Sequence, residues 1–360
     1  MRTSWTCLIG LSLTLLIGCD SEDDNSPTPD SGTSSVLPAL AGYTVSVWAQ
    51  GTDAYKAPDS IDSDGQHVWV GYQNASSKTG VPDAGPSTIV EYSLDGKTVV
   101  STFTVAGHTD GLRVDPSGTK VWVTSNEDGN PALYSIDPTK SGSAAVTTYS
   151  LAATPHGGGY DDLWFMNGKM FIVGSNPTLD MNGANDFPAL YTVTITGSTA
   201  TVTAALMGNQ PDVPDLGSGN PPMATVTLNE VDPDSLSVDS RGQLVLVNQA
   251  GQELVFLADA GTPGQTVTRV AVGTQLDDTV WIPTPSTGQL LVADGKANAI
   301  YSIQGPFTAG QIFTETPDDS GAAGFVGLLD VANASANGYA IVTPVVIGFK
   351  KPTGLFFLKQ

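Results

Sequence analysis

From Tyr43 onward the chain runs in short stretches where apolar side chains alternate or cluster for about a strand's length, then yield to Gly, Pro, Asn or Asp. No apolar stripe at helical spacing persists beyond a couple of turns. Alternation with a period of two marks half-buried strands, and turns collect the residues that tolerate unusual backbone angles. The pattern predicts an all-β domain over residues 43–360.

The strands also repeat as sentences. Pro58-Asp59-Ser60-Ile61, a turn at Asp64-Gly65 and His67-Val68-Trp69-Val70 return as Thr109-Asp110-Gly111-Leu112, a turn at Gly118 and Val121-Trp122-Val123. Tyr160-Asp161-Asp162-Leu163 with Lys169-Met170-Phe171-Ile172 is a third copy, and Pro233-Asp234-Ser235-Leu236 with Leu244-Val245-Leu246 a fourth. Fainter copies read Asp277-Asp278-Thr279-Val280-Trp281 with Gly288 to Val292, and Val326 to Asp330 with Gly338 to Val342. Each full unit adds two more strands around a turn such as Leu94-Asp95-Gly96-Lys97, a strong hairpin signal. Six units of four antiparallel strands predict a six-bladed β-propeller, a fold that protects its sheet edges by radial repetition. Tyr43–Ala49 and Gly354–Leu358 fall outside the six units in complementary fashion, so they are expected to meet in one blade and close the ring. The recurring aromatics Trp69, Trp122, Phe171 and Trp281 read as packing between blades.

Two families share this rhythm. The apolar-Asp-Gly-apolar repeat resembles NHL-type repeats, and Thr109-Asp110-Gly111-Leu112-Arg113-Val114-Asp115 with Val121-Trp122-Val123 resembles the Pro-Asp-Gly motif of the regucalcin and gluconolactonase family. That second resemblance implies a metal-dependent lactonase with Asp110 as an acidic ligand and Asn126 or Asn176 as a neutral one. The first unit departs from it, with Ala57-Pro58-Asp59 where the family has a Glu-Gly-Pro entry.

The N-terminus changes the picture of where the domain works. Arg2, an apolar run from Trp5 and the sequence Leu16-Ile17-Gly18-Cys19 read as a signal peptide over 1–18, with Cys19 as the lipidated residue. The run is short for a span, which takes about 20 apolar residues, and diacylation supplies the two chains that stable anchoring needs. Residues 19–42 read as the lipidated Cys followed by a disordered acidic tether, so the protein is expected in the cell envelope, facing the periplasm or the exterior. The other cysteine, Cys7, lies within the signal, leaving the domain without disulfides, thiolate metal sites or cysteine nucleophiles.

A formal charge of −22 disfavours nucleic acid and anionic lipid headgroups. Cations, cationic ligands and basic surfaces suit it, and so does plain solubility. Aligning the units puts Asp59, Asp110, Asp161, Asp234 and Asp278 at the start of successive innermost strands, with Val326 as the exception. Two readings stay open. Five converging carboxylates raise one another's pKa or recruit a cation, and an oxygen-rich set suits calcium. Alternatively, each Asp caps its own turn or bonds to the next blade. Loops on the same face offer Asn74, Asn126, Asn176, Asn248 and Asp294 as ligand-binding residues, while His108 and His156 each precede a ring Asp. The loop from Ser175 to Pro188 carries Asp180, Asn182, Asn185 and Asp186 but lacks the bidentate Glu of a calcium loop. No serine-hydrolase elbow, zinc-protease helix, phosphate loop or haem motif occurs. The sequence leaves two functions, a tethered module binding a protein, glycan or small ligand, and a lactonase-like hydrolase.

Overall fold

The computed structural model describes residues 36–80, 85–219, 223–317 and 323–360. The expected signal peptide, the expected lipidation site Cys19 and the expected tether up to residue 35 lie outside the described residues. Residues 36–42, read as the end of the tether, are instead part of the domain. Leu40 N–H donates to Val345 O at 2.8 Å, Ile347 N–H to Pro38 O at 3.0 Å, and Leu37 packs into an apolar cluster with Phe349. Val36, Leu37 and Leu40 supply the apolar content that residues 20–35 lack, and their backbone covers an otherwise open strand edge.

The described chain is all-β in a propeller-like arrangement. It opens on β1 (Thr44–Gln50), then forms the four-stranded sheet β2 (Pro58–Ser63), β3 (His67–Tyr72), β4 (Ser87–Ser93) and β5 (Val99–Val105). Next come β6 (Thr109–Val114), β7 (Val121–Ser125), β8 (Ala132–Ile136) and β9 (Val146–Leu151), followed by β10 (Gly159–Met166), β11 (Lys169–Ser175), β12 (Pro188–Thr196) and β13 (Thr199–Met207). These eight strands form one sheet in the order β6-β7-β8-β9-β13-β12-β11-β10, joined by a short parallel pairing of Ser150 and Leu151 with Thr199 and Ala200. A small hairpin, β14 (Val213–Pro214) and β15 (Thr225–Val226), precedes the sheet β16 (Pro233–Val238), β17 (Leu244–Asn248), β18 (Glu253–Ala258) and β19 (Thr266–Ala271).

The last third is threaded differently from the sequence reading. After β20 (Thr279–Trp281), the hairpin β21 (Gly288–Asp294) and β22 (Ala299–Gln304) leaves for another sheet, and β23 (Ile312–Thr316), β24 (Gly324–Asp330) and β25 (Ile341–Phe349) complete β20-β23-β24-β25. The final strand, β26 (Pro352–Lys359), is an edge of β26-β21-β22-β1. Val326 to Asp330 is therefore the third strand of its sheet and not an innermost one. The two chain ends share a sheet, as expected, but occupy its opposite edges with β21 and β22 between them.

β2, β6, β10, β16, β20 and β26 contact one another in cyclic order, which sets them around a common axis. The apolar clusters alternate with the sheets. Trp69 and Ile89 meet Leu112 and Val123, Phe171 and Leu190 meet Leu236 and Leu257, and Val68 and Val70 meet Leu291 and Ile300. These clusters each need two neighbouring sheets, and a further one, with Trp122 and Leu133 against Leu163 and Ile172, is buried between the two halves of the eight-stranded sheet.

One local device recurs at the axis. Between Pro58 and Ile61, Thr109 and Leu112, Tyr160 and Leu163, and Pro233 and Leu236 the inner strand slips by one residue against its partner. Such a bulge bends the strand and re-aims a side chain. The residues in the slip are Asp59-Ser60, Asp110-Gly111, Asp161-Asp162 and Asp234-Ser235, so the first of each pair turns into the channel mouth.

Candidate metal centre

The first residue of each bulge lines a strongly polar cavity of about 180 Å³ at one end of the axis. Asp59, Asp110, Asp161 and Asp234 meet there as the alignment anticipated. Asp278 does not. Its neighbour Asp277 takes the mouth position, while Asp278 accepts the Leu355 N–H at 2.9 Å and faces a different, mostly apolar chamber of about 400 Å³. The reason is the bulge register: where the second residue of the pair carries a side chain, it bonds to the next inner strand, and at Gly111 the Thr124 hydroxyl takes that part by donating to Asp161 O. Ser60 Oγ donates to Asp110 O, Asp162 Oδ2 accepts from Leu236 N–H at 2.9 Å, and Ser235 Oγ donates to Asp277 O at 2.8 Å. Asp278 belongs to that stitching set. The sixth mouth position is Thr353, whose Oγ1 donates to Pro58 O at 3.1 Å and whose residue carries no charge.

Glu127 stands at the centre of the chemistry. With His108 and Asp110 it forms one group of ligand atoms within 4.8 Å of one another, and with Asp161 and Asp234 a second. Asn126 explains its placement. The Asn126 backbone has φ of 70°, its Oδ1 accepts the His108 N–H at 2.9 Å and its Nδ2 donates to Asn130 O at 2.9 Å, so the loop after β7 is pinned and the following side chain lines the cavity.

The acids are far from their ordinary titration. Burial, and then Glu127 and Asp59, push the Asp110 carboxyl well up. Burial with Asp234, Glu127 and Asp110 does the same to Asp161, and Asp234 is raised to about 7 mainly by burial. Burial works against Glu127 too, yet the Lys78 ammonium and a hydrogen bond from Asp161 hold it below the usual glutamate value. Glu127 is the resident anion of the cluster.

Asp110 and His108 complete the description. Asp110 is 4% exposed, and its Oδ2 has no hydrogen-bond partner. His108 Nδ1 lies 3.0 Å from Ser76 O, so donation to that carbonyl leaves Nε2 with a free lone pair 3.5 Å from Asp110 Oδ1. That Nε2 is likewise buried and unpartnered. Burial pushes the His108 pKa down, which keeps the imidazole neutral and able to ligate. Oriented carboxylate oxygens and an imidazole nitrogen, each backed by a second hydrogen bond or left orphaned, suit a divalent cation.

Most of the other sequence-selected residues are structural. Asn74 Oδ1 accepts the Lys56 N–H at 2.9 Å, Asn248 Oδ1 the Asp232 N–H at 3.1 Å, and Asp294 the Lys350 and Lys351 N–H groups at 2.7 and 3.0 Å. With Asn126 these form a repeated clasp that holds the segment leading into an inner strand, and their oxygens are spent on it. His156 is fully buried with both ring nitrogens engaged, Nε2 at 2.7 Å from Gly159 O and Nδ1 at 3.0 Å from the Tyr191 hydroxyl. Only Asn176, exposed on the rim, lines the cavity. In the loop between β11 and β12, Asp180 Oδ1 accepts the Asn182 and Ala184 N–H groups at 2.7 and 2.8 Å, a self-contained turn.

No protein-family model matches the chain, and no curated protein does. Several solved structures follow a similar path. Virginiamycin B lyase from Staphylococcus aureus is 14% identical with a TM-score of 0.48, the match covering 88% of this chain and 96% of that one. The periplasmic gluconolactonase of Pseudomonas aeruginosa is 11% identical with a TM-score of 0.44, covering 88% and 98%. Kuenenia stuttgartiensis hydrazine synthase is 13% identical with a TM-score of 0.40, covering 82% of this chain and 67% of that one. Identities this low extend to chain path and not to chemistry.

Proposed function

We propose that the protein is an exported, lipid-anchored, six-bladed propeller that holds a divalent cation, calcium in the first instance, at its channel mouth and presents it to a polar ligand. In this reading the eight-stranded sheet counts as two blades fused at their outer edges by the two-residue pairing of β9 and β13. The cyclic contacts of six inner strands support that count. The observation that carries the cation is the orphaned, buried Asp110 Oδ2 beside the free His108 Nε2, both converging on the Glu127 that serves two ligand groups.

Calorimetric titration of the metal-free protein with calcium tests it. Saturable heat is expected, and Asp161→Asn with Asp234→Asn should weaken binding at least tenfold, since two of the charges offered to the ion are removed and amide oxygens remain. No heat with calcium, magnesium or manganese would discard the site. Metal-assisted hydrolysis of a lactone is a second reading, favoured by the neutral His108 held next to Asp110 as a candidate base. Acid release from a lactone in a pH-stat separates the two.

Anchoring rests on the Gly18-Cys19 box and the apolar run before it. Among the described residues no helix is long and apolar enough to cross a membrane. Cys19→Ser should abolish lipid labelling and shift the protein from the detergent phase to the aqueous phase, unless the signal stays uncleaved. A variant that is still labelled and still partitions into detergent contradicts the assignment.

A further inference from the structure

The mouth carries its own cation. Lys78 reaches in from the loop after β3, and its Nζ contacts Glu127 Oε1, the carboxylate common to both candidate ligand groups. Its loop is stitched to the one bearing Glu127. Asp128 N–H donates to Lys78 O at 3.0 Å, Asn130 Nδ2 donates to Thr79 O at 2.9 Å, and Ser76 O holds the His108 ring. The backbone under Lys78 is therefore fixed, while half of its side-chain surface is open to solvent, which leaves the butyl stem free to swing out.

We infer that Lys78 is a tethered stand-in for the metal, so that a divalent ion enters the mouth only by displacing its ammonium from Glu127. The inference rests on the cation reading above and adds a competitor within the chain. One ammonium satisfies Glu127 but leaves Asp110 Oδ2 orphaned, so the carboxylates are only partly compensated while Lys78 is in place. A divalent ion shared by the two groups brings twice the charge to the same oxygens. A lysine ammonium is charged at every ordinary pH, so Lys78 competes for Glu127 whenever its side chain is in place. Apparent metal affinity is then the intrinsic affinity reduced by the small fraction of molecules in which Lys78 has swung away.

The second rim lysine supplies the control. Lys351 lines the same cavity and lies in none of the ion pairs found within 4.0 Å among the described residues. Removing either lysine changes the local field by one charge, but only Lys78 vacates a ligand.

The test is calcium calorimetry on the full-length protein in detergent, comparing the parent with Lys78→Met, Lys78→Gln, Lys78→Arg and Lys351→Met. The two neutral Lys78 variants should bind calcium about tenfold more tightly than the parent, or bind where the parent does not. Lys78→Arg should stay near the parent, and Lys351→Met should shift far less than Lys78→Met. Equal affinity in the parent and both neutral variants, or equal gains from Lys78→Met and Lys351→Met, overturns displacement while leaving the metal site standing. Binding by none of the five proteins removes the metal site and this inference together. Circular dichroism checks that each variant is folded, and the Gln variant stands in if Met does not fold.

Discussion

A chain cut after Lys351 should fail to fold cooperatively, and should not merely fray at one end. β26 is an edge strand of its sheet in hydrogen-bonding terms, but it sits at the axis, in contact with both β2 and β20. Leu355, Phe357 and Leu358 are buried, each worth about 2 kcal/mol of removed apolar surface. The cut also strips Asp278 Oδ2 of the Leu355 N–H, leaving a half-buried carboxylate without that donor, and removes the Thr353 bridge to Pro58. Domain stabilities of about 5–15 kcal/mol do not survive such a loss. Leu355→Ala is the milder probe, with an expected cost of about 2–5 kcal/mol. Urea melts followed by circular dichroism decide it. A truncated chain that unfolds at the parent's midpoint would mean that the ring does not depend on its last strand.

That strand also shows where sequence reading stops. The four strong repeats are legible because each bulge carries the same word, an acid followed by a small or acidic residue and then a buried aliphatic, and each is succeeded by its own partner strand. The fifth and sixth units break the rule. Gly288-Gln289-Leu290-Leu291-Val292 has the pattern of a second strand and is one, but of another sheet, because the hairpin β21–β22 is inserted between β20 and β23. Periodicity marks a strand without fixing its distance from the axis. Pro352-Thr353-Gly354-Leu355 fits the bulge word except for its acid, so the sixth mouth position was hidden by a single substitution.

The loop asparagines were legible as special but not in role. Asn74, Asn126 and Asn176 adopt φ of 57°, 70° and 46°, a conformation asparagine tolerates better than most residues, and clasping accounts for Asn74 and Asn126 without any ligand. The residue that carries the chemistry, Glu127, is the one the clasp positions. Its only sequence signal is an acid directly after a strand-ending asparagine. Lys78 has none, since it comes to Glu127 through contacts between two loops.

The last prediction concerns pH. Without divalent metal, the melting temperature should fall as pH rises from about 6.5 to about 8, the reverse of what a domain held by ordinary salt bridges shows. Asp234 is raised to about 7, and burial pushes Asp59, Asp110, Asp161 and Asp277 well above the usual carboxylate value. A carboxyl with a raised folded-state pKa binds a proton that the unfolded chain has already lost. Its contribution is complete below the unfolded value and disappears as pH climbs through the folded one, at about 1.4 kcal/mol per pH unit for each such proton. The opposing groups are weak in the window. Glu127 is lowered, so its benefit is complete above the ordinary glutamate range, and His108 and His156, both pushed down by burial, gain only about 0.4 kcal/mol each as the unfolded imidazole loses its last protons above pH 6.5. Calcium should invert the slope, because ligation needs the ionised carboxylates and releases their protons, and a hundredfold excess over the dissociation constant adds about 2.7 kcal/mol. The net charge of −22 also disfavours the compact state as acids ionise, so the cluster has to be isolated from the surface. The Asp161→Asn, Asp234→Asn variant does that. Calorimetric melts in chelator at the two pH values should show a clearly flatter fall for the variant than for the parent, and calcium at a hundredfold excess over the parent's dissociation constant should restore more stability at the higher pH in the parent than in the variant. Parallel slopes for the two proteins would assign the pH dependence to the whole acidic surface and not to the mouth.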